Sequence, residues 1–419
     1  MRRLELGWAS FLRVLPAVLL WPGTAGAAGD ATTLLEEARA GTASARASKA
    51  GDSPAPASNP GDSIWVFIVS VLEWQDAESF APFPKQGRRD DLLARFFLED
   101  KKVPEDHVVR LQDAEATLKA VKGRFSRLLK RSRRGDTLFF YYAGHGARRE
   151  PGVTSFVPFD ASGSNIPGTG WAVPDIIKGI ETSFKGASAI LAADACHSGG
   201  LCAAARARGG RVSYACLASA QSSSSSTGEW TFTDSLLRGL TGSSRPDADA
   251  DGRTTFGELA SHIESEMAFA ESQLSASAVT GSLDAGLKIA DVSYADHGPP
   301  RALVRWKDGV DYRATVLGAC SGEEGKPGLK VHYAGYKDSA DECVGQETVG
   351  PFVEPDREHA DGSVVYASWD GLWYKASVKG CKLGLYHVRY DGWSAYWDEW
   401  VPPSRLRASA PCSPPPCKP

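Results

Sequence analysis

Two short apolar runs each end in a reactive side chain flanked by small residues, and they restrict the fold of this chain more than any other feature. Thr137-Leu-Phe-Phe-Tyr-Tyr142 is rich in strand-forming aromatic residues and stops on Ala-Gly-His-Gly, with His145 between two glycines. Ile190 to Ala193 has the length of a short buried strand, and it delivers Asp194, Cys196 and His197 where a Ser-Gly-Gly turn begins. Open α/β sheets keep their chemistry at the carboxyl ends of strands. A cysteine nucleophile needs an imidazole to take its proton and later to protonate the leaving amine, so two such strand ends side by side form a minimal apparatus for acyl transfer.

His145 precedes Cys196 by 51 residues, close to the interval of about 50 residues that separates histidine from nucleophile in caspases. The strings YYAGHG and DACHSGG resemble the catalytic motifs of the caspase-like cysteine peptidases, and DACHSG is more similar to the metacaspase and bacterial branch than to animal caspases. The resemblance covers residues 62–292 and implies an endopeptidase acting on proteins or peptides through His145 and Cys196. The backbone N–H groups of Gly146 and Cys196 are the candidate oxyanion donors. Asp194 lies two positions before Cys196 on a strand, hence on the same face, and its carboxylate suits a guanidinium or an ammonium. The resemblance implies that Asp194 grips Arg or Lys just before the scissile bond. It also makes Asp91, in Arg88-Arg89-Asp90-Asp91, the match for a second pocket aspartate, although the Cys-x-Asn-Asp form of the family is missing. Asp91 reads equally well as a first-turn helix acid favoured by the dipole. His197 should face away from Cys196 and reads as a turn or packing residue. A zinc site of Cys196, His197 and Cys202 lacks a fourth ligand at any recognised spacing, and the dyad chemistry itself needs no cofactor.

Around these motifs, strand-like and helix-like segments alternate. Strands are expected over 63–71, 108–111, 137–142, 190–193 and 213–218, and helices over 90–98, 114–129, 174–184, 232–240 and 256–267. This alternation predicts an α/β fold with a mostly parallel sheet flanked by helices, the order a caspase-like fold would show. Residues 203–211, AAARARGGR, read as a mobile loop just past the nucleophile, and Arg206, Arg208 and Arg211 are candidate self-cleavage positions. The alternative is a merely solvated basic loop.

Residues 247–258, DADADGRTTFGE, carry the full calcium-loop pattern, with ligands expected from Asp247, Asp249, Asp251, the Arg253 carbonyl and Glu258. Thr254 stands where an apolar residue is usual, and the alternative is an acidic turn before a helix. Calcium is the one cofactor to which the sequence points.

Beyond Pro299 a module repeats. Val331-His-Tyr-Ala-Gly-Tyr336 and Asp341-Glu-Cys-Val344 return as Val388-Arg-Tyr-Asp-Gly-Trp393 and Asp398-Glu-Trp-Val401. Alternating patterns and Asp-Gly turns predict two small all-β barrels, 299–355 and 362–407. WDGLWYKASV, YHVRYDGW and WDEWV resemble the Tudor and chromo-barrel family, which implies an aromatic cage from Tyr374, Trp393, Tyr396, Trp397 and Trp400 for an unknown ligand. The alternative is that these rings are simply the barrel core.

Arg2 and Arg3 before a short apolar stretch, then Ala25-Gly26-Ala27, read as a signal peptide over 1–27. The stretch is too short for a stable membrane span, and the alternative is a disordered cytosolic N-terminus. A linker of Ala, Ser, Gly and Pro over 28–61 follows, and a Pro/Cys tail closes the chain at 408–419. With Cys196 set aside seven cysteines remain, an odd number; Cys320 with Cys343 and Cys412 with Cys417 are the expected pairs. Lys and Arg total 47 against 51 acids, a net charge of −4, which gives no footprint for nucleic acid. The sequence thus points to an exported cysteine endopeptidase with C-terminal barrels for targeting or binding. The alternative is a catalytically idle caspase-like scaffold that acts through its barrel repeats.

Overall fold

The computed structural model describes residues 60–149, 152–208, 210–221, 229–322, 325–336, 338–354 and 356–409. The expected signal peptide, the linker up to residue 59 and Cys412 with Cys417 lie outside the described residues. The described residues divide into two compact units: one takes those up to Glu264 together with Ser275–His297, the other Ser265–Leu274 and those from Gly298 on.

The first unit is built on a six-stranded sheet. Its strands are β1 (Ile64–Ser70), β2 (Val108–Gln112), β3 (Thr137–Ala143), β7 (Ser188–Asp194), β8 (Ser213–Ala218) and β10 (Ala276–Val279), in the order β10-β8-β7-β3-β1-β2. All neighbours run parallel except β10, which pairs antiparallel with β8. Every residue of β1 and β3 is buried, as their unbroken apolar sequences require of strands covered on both faces. The longer helices are α1 (Arg89–Arg95), α2 (Leu118–Arg131), α3 (Val173–Ser183), α4 (Gly199–Arg208), α5 (Thr231–Thr241) and α6 (Phe256–Glu271), the last from Ser265 on counted with the second unit. The α2 helix starts four residues later than its apolar spacing suggests, because the Thr117 side chain accepts from Ala120 N and caps it. Phe125 of α2 meets Phe67 of β1 at 4.8 Å and Trp171 at 5.4 Å, and burying such a ring stabilises by about 2–3 kcal/mol.

Three strands too short and mixed to show a period, β4 (Gly146–Arg149), β5 (Val153–Phe156) and β6 (Trp171–Ala172), form a second antiparallel sheet that begins one residue past His145. Strands β9 (Arg253–Thr255) and β11 (Lys288–Asp291) pair as a short ribbon.

The second unit carries the repeat. Strands β12 (Arg301–Arg305), β13 (Asp311–Ser321), β14 (Pro327–Tyr333), β15 (Glu342–Gly345) and β16 (Val349–Pro351) form one antiparallel sheet, in the order β15-β14-β13-β12-β16. β17 (Val364–Trp369), β18 (Leu372–Lys382), β19 (Leu385–Tyr390), β20 (Glu399–Val401) and β21 (Leu406–Arg407) repeat that order. Both copies slip register at the same place, before Gly318 and before Gly380. Each module is thus a five-stranded antiparallel sheet, and among the described residues no ladder joins its two edge strands. One covalent contact distinguishes the copies. Cys320 and Cys343 form a disulfide in the first, whereas the matching positions of the second, counted from Gly318 and Gly380, hold Lys382 and Trp400, and Trp400 stacks on His387 at 5.0 Å; the second copy's cysteine, Cys381, stands one residue earlier and forms no disulfide.

Candidate active site

The register of two adjacent strands places the site. In the parallel β3–β7 ladder Ala143 pairs with Asp194, so His145 and Cys196 each stand two residues beyond the same paired position. Gly144 N donates to Asp194 O at 3.1 Å and holds the two chains together past the ladder. The next residue comes closer still: a Cβ on Gly146 would lie 1.9 Å from the Cys196 carbonyl oxygen. That approach requires glycine.

His145 is oriented from behind. Its Nε2 lies 2.9 Å from the carbonyl oxygen of Ala81, which can only accept, so Nε2 carries the proton and Nδ1 the lone pair. The ring packs among Trp74 at 4.4 Å, Phe83 at 4.6 Å and Phe80 at 5.8 Å. Burial in this apolar collar lowers the His145 pKa below the ordinary histidine value, against the opposing pull of the Ala81 carbonyl. The backbone on either side is fixed by Tyr142, whose hydroxyl donates to His145 O at 2.8 Å and accepts from Val157 N at 3.1 Å. Burial holds that hydroxyl protonated, far above the usual tyrosine range.

Cys196 is half-buried and takes no part in the disulfides. It lines a cleft with Asp194, Glu229, Trp230, Leu72 and Phe83. The turn carrying it is tied to β8's end by Ala195 N donating to Ser219 Oγ at 3.0 Å. Asp194 is 9% exposed and accepts from Thr233 Oγ1 at 2.6 Å, and Thr233 Oγ1 in turn lies 2.6 Å from the Tyr141 hydroxyl. Since the Thr233 proton goes to the carboxylate, Tyr141 supplies the proton of the second bond. Burial first, and the Asp194 charge second, keep the Tyr141 hydroxyl protonated. A directed chain from strand β3 through α5 thus fixes the carboxylate beside the cysteine.

The remaining expected residues scatter. Asp91 sits in the first turn of α1, ion-paired with Arg110 at 2.6 Å and accepting from Gln112 Nε2 at 2.8 Å, and the structure does not bring it to the cleft. Its neighbour Asp90 is buried, but against Arg88 at 3.0 Å and Gln112 at 2.6 Å. His197 occupies the left-handed region at φ 58° and accepts from Gly200 N at 2.9 Å, the position of a turn residue. Cys202 is joined to Cys216 in a disulfide that the spacing did not suggest, so it is not a zinc ligand alongside Cys196 and His197.

The expected mobile loop after the nucleophile is helical as far as Arg208, because the alanine run AAARAR favours helix. Arg206 donates to Ser277 O at 3.1 Å, and Arg211 reaches the Gly186 carbonyl at 2.8 Å and that of Phe184, while its own N–H meets Glu181. These contacts hold two of the three arginines against the fold, and Arg208 lies in α4.

In the acidic loop, carboxylate oxygens of Asp247, Asp249 and Glu258 lie within 4.8 Å of one another. Asp251 accepts from Arg253 N at 2.8 Å. Glu258 is buried enough to resist charging, yet N–H donors of Thr255, Ala248 and Asp249 and the Thr255 hydroxyl lower its pKa overall. In the second repeat Trp393 meets Tyr374 at 6.0 Å and Trp397 at 5.6 Å, and Trp369 joins them at 5.1 Å from Trp397. Tyr396 touches this group through Trp397 at 5.0 Å, whereas Trp400 lies against His387 instead.

The parallel sheet, the histidine and cysteine at neighbouring strand ends and the flanking helices define a caspase-like α/β domain. Residues 91–284 match the caspase domain family. Among solved structures the chain is similar to a protein of Geobacter sulfurreducens, at 15% identity over 56% of this chain and 99% of that one, with a TM-score of 0.41. It is also similar to caspase-1 of Spodoptera frugiperda, at 12% identity over 52% of this chain and 86% of that one, with a TM-score of 0.35. No curated protein matches the chain. No helix among the described residues is long and apolar enough to cross a membrane.

Proposed function

We propose that the chain is a cysteine endopeptidase that cuts after Arg or Lys, with His145 and Cys196 as its dyad. The observation that carries this reading is the shared register of the two residues beyond Ala143 and Asp194, with the Asp194 carboxylate in the same cleft as the thiol. His145 Nδ1 takes the Cys196 proton, and the thiolate adds to the scissile carbonyl carbon. The developing oxyanion is met by the N–H groups of Gly146 and Cys196. The tetrahedral adduct collapses as the C–N bond breaks, and the imidazolium returns its proton to the amine. Water, deprotonated by the same imidazole, then hydrolyses the thioester. Removing the thiol tests this: Cys196→Ala should abolish turnover of peptidyl-Arg and peptidyl-Lys substrates, and equal turnover by the variant, or none by the wild type, would leave the domain as an idle scaffold.

Export is part of the same proposal, supported by the N-terminal pattern and by the Cys202–Cys216 and Cys320–Cys343 disulfides, which suit an oxidising compartment. So is calcium at the 247–258 loop, where three carboxylates converge and the metal would stabilise the start of α6. The repeats serve to bind a target, through the ring cluster of Tyr374, Trp393 and Trp397 in the second copy.

A further inference from the structure

The cleft beside Cys196 holds two carboxylates, and one of them has no place in the motifs that announce the site. Asp194 is buried and fixed by Thr233, while Glu229 stands exposed just before α5. No described cation pairs with Glu229. Next to it Trp230, half-buried, lines the same cleft as the apolar Leu72 and Phe83. Its lining therefore carries two negative side chains, two aromatic rings and no positive group among the described residues.

These groups do not serve both basic side chains equally. A lysine ammonium is a compact, strongly hydrated charge, and one fixed carboxylate satisfies it. A guanidinium is flat, spreads its charge over five N–H donors and is weakly hydrated, so it can meet a second carboxylate and lay its face on an indole. We infer that Glu229 and Trp230 are specificity-determining residues that make this cleft prefer arginine to lysine before the scissile bond. Asp194 supplies the charge that both side chains need; Glu229 and Trp230 supply the contacts that only arginine uses. The inference rests on the peptidase reading above, and it adds the pair that selects within the basic class.

The experiment compares two coumarin peptide amides identical except for a terminal Arg or Lys. Glu229→Gln and Trp230→Ala should each lower kcat/KM for the Arg substrate about tenfold and leave the Lys substrate within about twofold, so the Arg/Lys ratio falls. Asp194→Asn should depress both substrates together. Glu229 is exposed, so its variant folds as the wild type does; Trp230→Phe, which keeps a ring, gives a second reading should Trp230→Ala fail to fold, with a smaller fall in the ratio. An active wild type whose Arg/Lys ratio is unchanged in Glu229→Gln, or whose two substrates fall equally, overturns the inference while leaving the peptidase standing. A wild type that cleaves neither substrate overturns the peptidase reading itself.

Discussion

Gly146 and Cys196 approach so closely that the smallest side chain on Gly146 would lie 1.9 Å from the Cys196 carbonyl oxygen. The obstacle is backbone, which cannot rotate aside. Gly146→Ala should therefore push the two strand ends apart and misplace His145 relative to the thiol, lowering kcat/KM by on the order of 100-fold, since a misplacement of about 1 Å has that effect. Kinetics and thermal melting together check it: a variant that melts with the wild type and keeps full activity contradicts the geometry.

The chain Tyr141–Thr233–Asp194 predicts a different signature. Thr233→Val keeps the shape but strands a buried tyrosine hydroxyl and one carboxylate oxygen, so stability should fall by about 1–3 kcal/mol and KM for basic substrates should rise. Thr233→Ser restores the hydroxyl and should recover both. Denaturant unfolding alongside steady-state kinetics decides the point; Thr233→Val matching the wild type in both would mean that the hydroxyl holds nothing in place.

A pH profile follows from the collar around His145. Burial lowers its pKa in the fold, so the ring stays neutral, and competent as a base, at pH values where an ordinary histidine is already protonated. The acid limb of kcat/KM should accordingly lie below the ordinary midpoint of about 6.5. A limb at or above that value would contradict the buried, neutral imidazole.

Calcium binding is checked without any substrate. If Asp247, Asp249 and Glu258 hold the ion, calcium at about 100 times its Kd should stabilise the fold by about 2.7 kcal/mol, a rise in Tm of several degrees. Asp249→Ala combined with Glu258→Gln should abolish that rise. Titration calorimetry on the wild type showing no heat at millimolar calcium reduces the loop to a turn.

Much of this site could be read from residue order because strands carry their chemistry at fixed positions. The apolar runs before Ala143 and Asp194 are long enough to define strands, and a parallel pairing then fixes which residues stand side by side. The Ala81 carbonyl could not be foreseen, since a backbone acceptor leaves no mark in the sequence. Glu229 and Trp230 follow a run of serines that carries no period, and Thr233 looks like any small residue of a helix. Asp91 misled because a family's motif spacing says nothing of which neighbours compete for a carboxylate, and here Arg110 and Gln112 win it. The Cys202–Cys216 pair joins a helix to a strand, a contact that exists only once both have packed.

That disulfide spans residues 206, 208 and 211. Any chain break among them, whatever protease makes it, yields two polypeptides still joined by a covalent bond, with the nucleophile on one and β8 and α5 on the other. A nicked molecule would migrate as one band until thiol is added, so gels run without reductant cannot distinguish it from the intact chain. Maturation of this domain, if it proceeds by cutting there, releases no subunit; it becomes visible as new amino termini, or as two masses only after reduction.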